Sequence, residues 1–206
     1  MIHPTVQRLL RRLAHRVRGA DKIPIRAIRP DDRARLLAAF HALDRRSIYQ
    51  RFFFSKRELS DTDLRQLTDC DGVHVVVLVA TDGAGEQEAI VGLGQYARHG
   101  ATAQIAFAVR EEYQGRGIST RLLRRLVRIA RAQGVSHFEA DVLADNHPML
   151  AVFRHSGLLI EASEADGVVH LTLALDAVPR QSGVGADDCD QTATVSSPEP
   201  DTPRLP

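Results

Sequence analysis

Between Val109 and Leu123 the chain reads Val-Arg-Glu-Glu-Tyr-Gln-Gly-Arg-Gly-Ile-Ser-Thr-Arg-Leu-Leu. An apolar strand runs into a glycine-punctuated turn and then opens an amphipathic helix, which commits this stretch to a strand packed beside a helix start. The first amides of a helix have no intrahelical acceptor, and the macrodipole leaves about half a positive charge there, so an anion is the natural guest. Gly115 and Gly117 permit both the tight turn and a close approach of main chain to a bulky group. The spacing matches neither a P-loop, which needs a Lys-Ser or Lys-Thr pair, nor the G-x-G-x-x-G of a dinucleotide fold.

The surrounding pattern extends this junction into a domain. Ile23–Ile28 alternates as a strand and ends at Pro30-Asp31-Asp32, a helix start with early acids. A helix to about Leu43 follows, then an aromatic segment (Tyr49, Phe52, Phe53, Phe54) expected as a helix end and loop covering the core. Ser60 reads as the N-cap of a short helix towards Asp69. Val73–Ala80 and Ala89–Tyr96 form a hairpin, and Thr102–Val109 is the strand before the glycine turn. The helix Ile118–Ala132 ends at Gly134. Phe138–Leu143 is a strand, Pro148–His155 a short helix, and Leu158–Ala162 with Val168–Leu175 the last two strands. The expected order is β-α-α-β-β-β-α-β-α-β-β: an α/β (α+β) fold with a mixed, mostly antiparallel sheet, helices on both faces and one parallel crossover.

A chain of 206 residues with 44% apolar side chains supports one domain of about 21–176. Residues 1–20 carry Arg8, Arg11, Arg12, Arg16 and Arg18 on a helix whose apolar face is Val6, Leu9, Leu10, Leu13, Ala14 and Val17. Two readings of that helix stand open: packing on its own domain, or surface association with a membrane or partner. Residues 177–206, rich in Pro, Ser, Thr, Gly and Asp, read as a disordered acidic tail. A formal charge of +1 removes any general case for nucleic acid. Cys70 and Cys189 suggest no disulfide framework, no run of about 18 apolar residues predicts a membrane span, and a reducing, cytoplasmic setting is expected. The nine histidines show no helical i, i+4 pair and no cluster with cysteine, so no metal site is expected.

The element order and Gln114-Gly115-Arg116-Gly117-Ile118-Ser119 resemble the GNAT superfamily of acyl-CoA-dependent N-acyltransferases, whose pattern is Gln/Arg-x-x-Gly-x-Gly/Ala. Ser119 departs slightly from it. Asn146, Pro148-Met149, Phe153 and Gly157-Leu158 stand where the family has its Asn, short helix and Gly-Phe ending. Ser47-x-Tyr49-x-Arg51-Phe52-Phe53 and Asn146-x-Pro148-Met149-Leu150 are similar to the GNAT domain of bacterial protein-lysine acetyltransferases. The resemblance implies that the strand before the loop and the strand after the helix splay apart around the donor, acetyl-CoA. Main-chain groups of Phe107, Ala108 and Val109 would then hold the pantetheine arm. Amides of Gly115 to Thr120, including Ile118 and Ser119, would hold the pyrophosphate with Arg116 for charge pairing, and Asn146 and Phe153 would line the thiol end.

The same comparison leaves the proton chemistry open. Gln104 falls where lysine-acetylating relatives keep a strand glutamate, and glutamine takes no proton; Phe153 falls where many members place a tyrosine acid. Asp141, Glu139, His99 and His74 are the candidates for a relay, with Asp141 preferred. A thiolate can also leave unaided. The alternative function is a catalytically weak acyl-CoA-binding regulatory or interaction module, and the amine acceptor, a protein lysine or a small amine, stays unnamed.

Overall fold

The computed structural model describes residues 23–176, so the readings of segments 1–20 and 177–206 fall outside the described residues. Within them one sheet holds β1 (Ile25–Ala27), β2 (Val75–Asp82), β3 (Ala89–His99), β4 (Thr102–Val109), β5 (His137–Leu143), β6 (Leu159–Ala165) and β7 (Val168–Ala174), in the order β1-β2-β3-β4-β5-β7-β6. The helices are α1 (Arg33–His41), α2 (Arg45–Phe52), α3 (Asp61–Thr68), α4 (Ile118–Ala132) and α5 (His147–Arg154). Neighbouring strands run antiparallel except β4 and β5, which α4 joins as a parallel crossover.

Three α-helices, not the expected two, separate β1 from β2. The chain breaks after α1 because Asp44 takes extended backbone and its carboxylate accepts the Ser47 amide at 2.5 Å, an N-cap contributing about 1 kcal/mol to a new helix. The aromatic segment is therefore largely helical. It ends at Phe53, whose φ of 61° is the left-handed turn that closes α2. Serine at the start of α3 behaves as anticipated, since the Asp63 amide donates to Ser60 Oγ at 3.2 Å and the Ser60 amide donates to Asp63 Oδ2 at 2.7 Å.

The two sheet faces carry separate cores. On the back, α4 buries Ile118, Leu122, Leu123, Leu126, Val127 and Ala130 against Tyr96, Ile105, Phe138 and Leu173. Each such Leu or Ile contributes about 1.5–3 kcal/mol relative to an exposed side chain, so this helix is held by its stripe rather than by its arginines. On the front, Leu36, Phe40, Leu59 and Leu64 of the α1–α3 layer cover Val77, Val79, Ile90 and Leu93. The front faces of β5, β7 and β6 are left open, and Glu139, Asp141, Glu161 and His170 are exposed there. β6 is the sheet edge and carries charge, as exposed edges commonly do.

A buried ion cluster locks the first strand to this frame. Asp32 is 0% exposed and receives Arg26 through two bonds of 2.6 and 2.8 Å, while the same guanidinium reaches Glu88 at 2.9 and 3.1 Å. The Arg29 amide adds a bond of 2.9 Å to Asp32. Arg26 holds the Asp32 carboxyl below the usual carboxylate range, so the stabilisation is present above the unfolded pKa of about 3.9 and is lost as pH falls through the lower folded value. Substituting Asp32→Asn leaves Arg26 short of a buried partner and is expected to cost about 3 kcal/mol. Urea titrations should show that loss at pH 7 and, below about pH 4, a shallower acid dependence in the variant than in the wild type.

Candidate active site

β4 and β5 pair over only three positions, Thr102 with His137, Ala103 with Phe138 and Gln104 with Glu139, and then part. The direction of the freed groups follows from the ladder on the other side. The Arg110 amide donates to the Val91 carbonyl at 3.0 Å, and antiparallel alternation then turns the main chain of Ala106 and Ala108 towards β3. Those of Phe107 and Val109, beyond the last β4–β5 bridge, face the gap. Ser136 donating to the Ala101 carbonyl at 2.8 Å, at the closed end, agrees with that phase. Ala108 therefore directs its main chain to β3 and lines the cleft with its methyl group, a correction to the expectation that its backbone serves a ligand.

The gap widens into a cleft of about 700 Å³ between the front helices and α5. Phe107, Ala108, Val109, Gln114, Gly115, Gly117, Ile118, Ser119, Thr120, Asp141, Asn146 and Phe153 all line it. Gly115 and Gly117 have φ of 70° and 71°, and a Cβ on either would meet nothing within 4 Å. The turn thus needs glycine for its backbone, and the space beside it is open. Gly117 caps α4 without a side chain, so the first amides of the helix face that space with their positive end.

Three anticipated residues have other first duties. Gln114 Nε2 donates to the Val109 carbonyl at 3.0 Å and to Ser47 Oγ at 3.3 Å, so it ties the end of β4 to α2 and fixes the cleft's width. Asn146 accepts the Met149 amide at 3.3 Å as the N-cap of α5. Arg116 is not among the lining residues; its guanidinium lies over the Tyr113 ring at 4.9 Å. Tyr113, which the sequence did not single out, is buried under the turn and donates to Asp82 at 2.7 Å, and burial with that bond pushes its hydroxyl well above its ordinary value. It props the turn and lines the cleft beneath it.

Of the four proposed proton acceptors, Asp141 lines the cleft, and Glu139, His99 and His74 do not. His74 is turned to Asp71 at 2.6 Å on the surface. Phe153 is buried and meets Phe107 edge to face with centroids 6.0 Å apart. On the front wall stand Phe52, Phe53, Gln95 and Arg51; burial pushes the Arg51 guanidinium below its ordinary value, though arginine stays charged.

Residues 42–158 match the pattern of the acetyltransferase (GNAT) family. The chain belongs to that family. It is 33% identical over 144 residues to the acetyltransferase Pat of Mycolicibacterium smegmatis, covering 68% of this chain and 42% of that protein, so it spans less than half the length of that relative. The crystal structure of the GNAT domain of S. lividans PAT superposes with a TM-score of 0.67 at 34% identity, over 73% of this chain and 89% of that one. The structure of yncA from Salmonella typhimurium, described with its cofactor acetyl-CoA, shares the fold at a TM-score of 0.60 and 17% identity, over 82% and 99% of the two chains. The mixed sheet with one parallel pair is thus the GNAT fold.

Within the GNAT frame the glycine turn admits a direct test. Gly117→Ala meets no neighbour, so its stability cost should be the left-handed backbone alone, about 1–2 kcal/mol. Calorimetry should show weaker coenzyme A binding in this variant, beyond what its remaining folded fraction explains.

Proposed function

We propose that this chain transfers an acetyl group from acetyl-CoA to the side-chain amine of a protein lysine. The observation that carries the donor half is the parting of β4 from β5 beside the bare start of α4: unpaired main-chain groups suit an extended amide-bearing arm, and the helix start suits a pyrophosphate. The yncA structure with acetyl-CoA supports the same donor for this fold.

The acceptor half rests on the shape and chemistry of the front wall. Phe52, Phe53, Ala97 and Ala106 offer apolar surface to a four-carbon stem, while Gln104 and Asp141 offer oxygen acceptors to the nitrogen at its end. The similarity of Ser47-x-Tyr49-x-Arg51-Phe52-Phe53 to protein-lysine acetyltransferases favours lysine over a small amine.

Isothermal calorimetry with acetyl-CoA should give saturable binding, and mass spectrometry should find acetyl groups on lysines of a peptide panel rather than on free polyamines or aminoglycosides. Absence of binding at high micromolar acetyl-CoA would overturn the donor. The second reading, an acyl-CoA-binding module with little turnover, draws on Gln104 and Phe153 standing without a transferable proton; it requires clear binding and no acetylation over the whole panel.

A further inference from the structure

The structure brings together two residues far apart in sequence. Asp141 of β5 and His170 of β7 are direct cross-strand partners, and His170 Nδ1 lies 2.7 Å from Asp141 Oδ1. An ionised carboxylate only accepts, so the imidazole donates at Nδ1. The other carboxylate oxygen, Oδ2, is 3.5 Å from Gln104 Nε2. Asp141 is the second residue after the last β4–β5 pair, and it stands on the front face, where the cleft begins.

We propose that Asp141 is the catalytic proton acceptor of this chain and that His170 is its positioning residue. The proposal rests on the acetyltransferase reading above. The carboxylate takes over the task for which Gln104, its neighbour, is chemically unfit. His170 occupies Oδ1, and Oδ2 remains towards Gln104 and the cleft.

A neutral amine, its first proton lost to water, attacks the thioester carbonyl carbon. The C–N bond forms, the C–S bond breaks, and coenzyme A departs as a thiolate that takes a proton from water. The nitrogen's surplus proton passes to Asp141 Oδ2, and solvent at the open sheet face removes it for the next cycle. General base assistance of this kind is worth about 10²–10⁴ in rate.

The electrostatic surroundings are mixed. Glu139 on β5 shares the front face two residues away, with Thr172 and Glu161 in register beside it, and Ser163 lies opposite His170 on β6. Across the cleft, α2 contributes Arg51 and Arg46, the latter paired with Asp145 at 3.4 Å. Tight folding around the pair is absent, since the side chains of Asp141 and His170 are 40% and 51% exposed. Substitutions there should not unfold the chain.

The test uses the full chain, with the best lysine peptide from the acceptor panel and acetyl-CoA, and follows release of the coenzyme A thiol from pH 6 to 10. Asp141→Asn should lower kcat about 100-fold or more while the calorimetric affinity for acetyl-CoA stays within about threefold, a margin of about 0.65 kcal/mol. His170→Ala should lower kcat about tenfold while the KM for the peptide and the calorimetric affinity for acetyl-CoA stay within about threefold, the split expected when an interaction made only in the transition state is lost. His170→Gln, which keeps an N–H to offer, should restore most of kcat. Turnover of Asp141→Asn within about threefold of the wild type overturns the catalytic assignment, and a kcat of His170→Ala within about threefold of the wild type, or no recovery of kcat in His170→Gln, overturns the positioning role. No turnover by the wild-type chain that still binds acetyl-CoA is a different failure: it overturns the acetyltransferase reading and this proposal with it.

Discussion

A strand in the middle of a sheet must pair the main-chain groups on both of its edges, and β4 does so along its whole length on one edge only. Beyond the Gln104–Glu139 bridge the groups of Phe107 face a gap instead of β5, while the Val109 carbonyl is taken by Gln114. Buried backbone polar groups need partners, so a sheet that parts at its centre is stable only when the opening is wet or filled by a ligand rich in amides. The rest of the molecule braces that opening. β1 to β4 form one antiparallel half locked by the front helices, and β5, β7 and β6 form the other, locked by their own ladder. α4 and α5 hold the halves together from behind, with Phe107 against Phe153 at the point of divergence.

Packing at that point is tight enough to be selective. Gly94 lies opposite Phe107 in the β3–β4 ladder, and a Cβ there would come within 2.9 Å of the phenyl ring. The glycine lets the ring lie across β3 and reach α5. Gln114 does the complementary work in front, joining β4 to α2 through Ser47. The width of the cleft is therefore set by contacts between elements that are remote in the chain, and the glycine turn is held above it by Tyr113 on Asp82.

Much of this was legible in the residues. Apolar alternation, the Gly115 and Gly117 turn and the stripe of α4 are local signals with local causes, and they lead to the order of strands and helices along the chain and the anion-facing helix start. Asn146 was legible as a marker of its segment, although in the structure its side chain caps α5. What was not legible depends on partners distant in sequence. A second helix over Arg45–Phe52 hinges on one carboxylate, Asp44, competing with a weak apolar pattern. Arg116 leaves the cleft because an aromatic face, Tyr113, attracts its guanidinium more locally than a sequence motif can express.

The sequence by itself determined that this chain builds a strand–glycine turn–helix junction fit for a phosphate, inside an α/β domain with a mixed sheet, because each of those features rests on periodicity and backbone freedom within about 15 residues. The tertiary structure alone decided which backbone groups of β4 are turned to the gap, since that is a matter of ladder phase with β3. It alone decided that Asp141, rather than Glu139, His99 or His74, reaches the cleft, and that His170 stands beside it. Cross-strand register puts residues 29 positions apart within hydrogen-bonding distance, and register is fixed by the packing of the whole sheet, not by either strand's own residues.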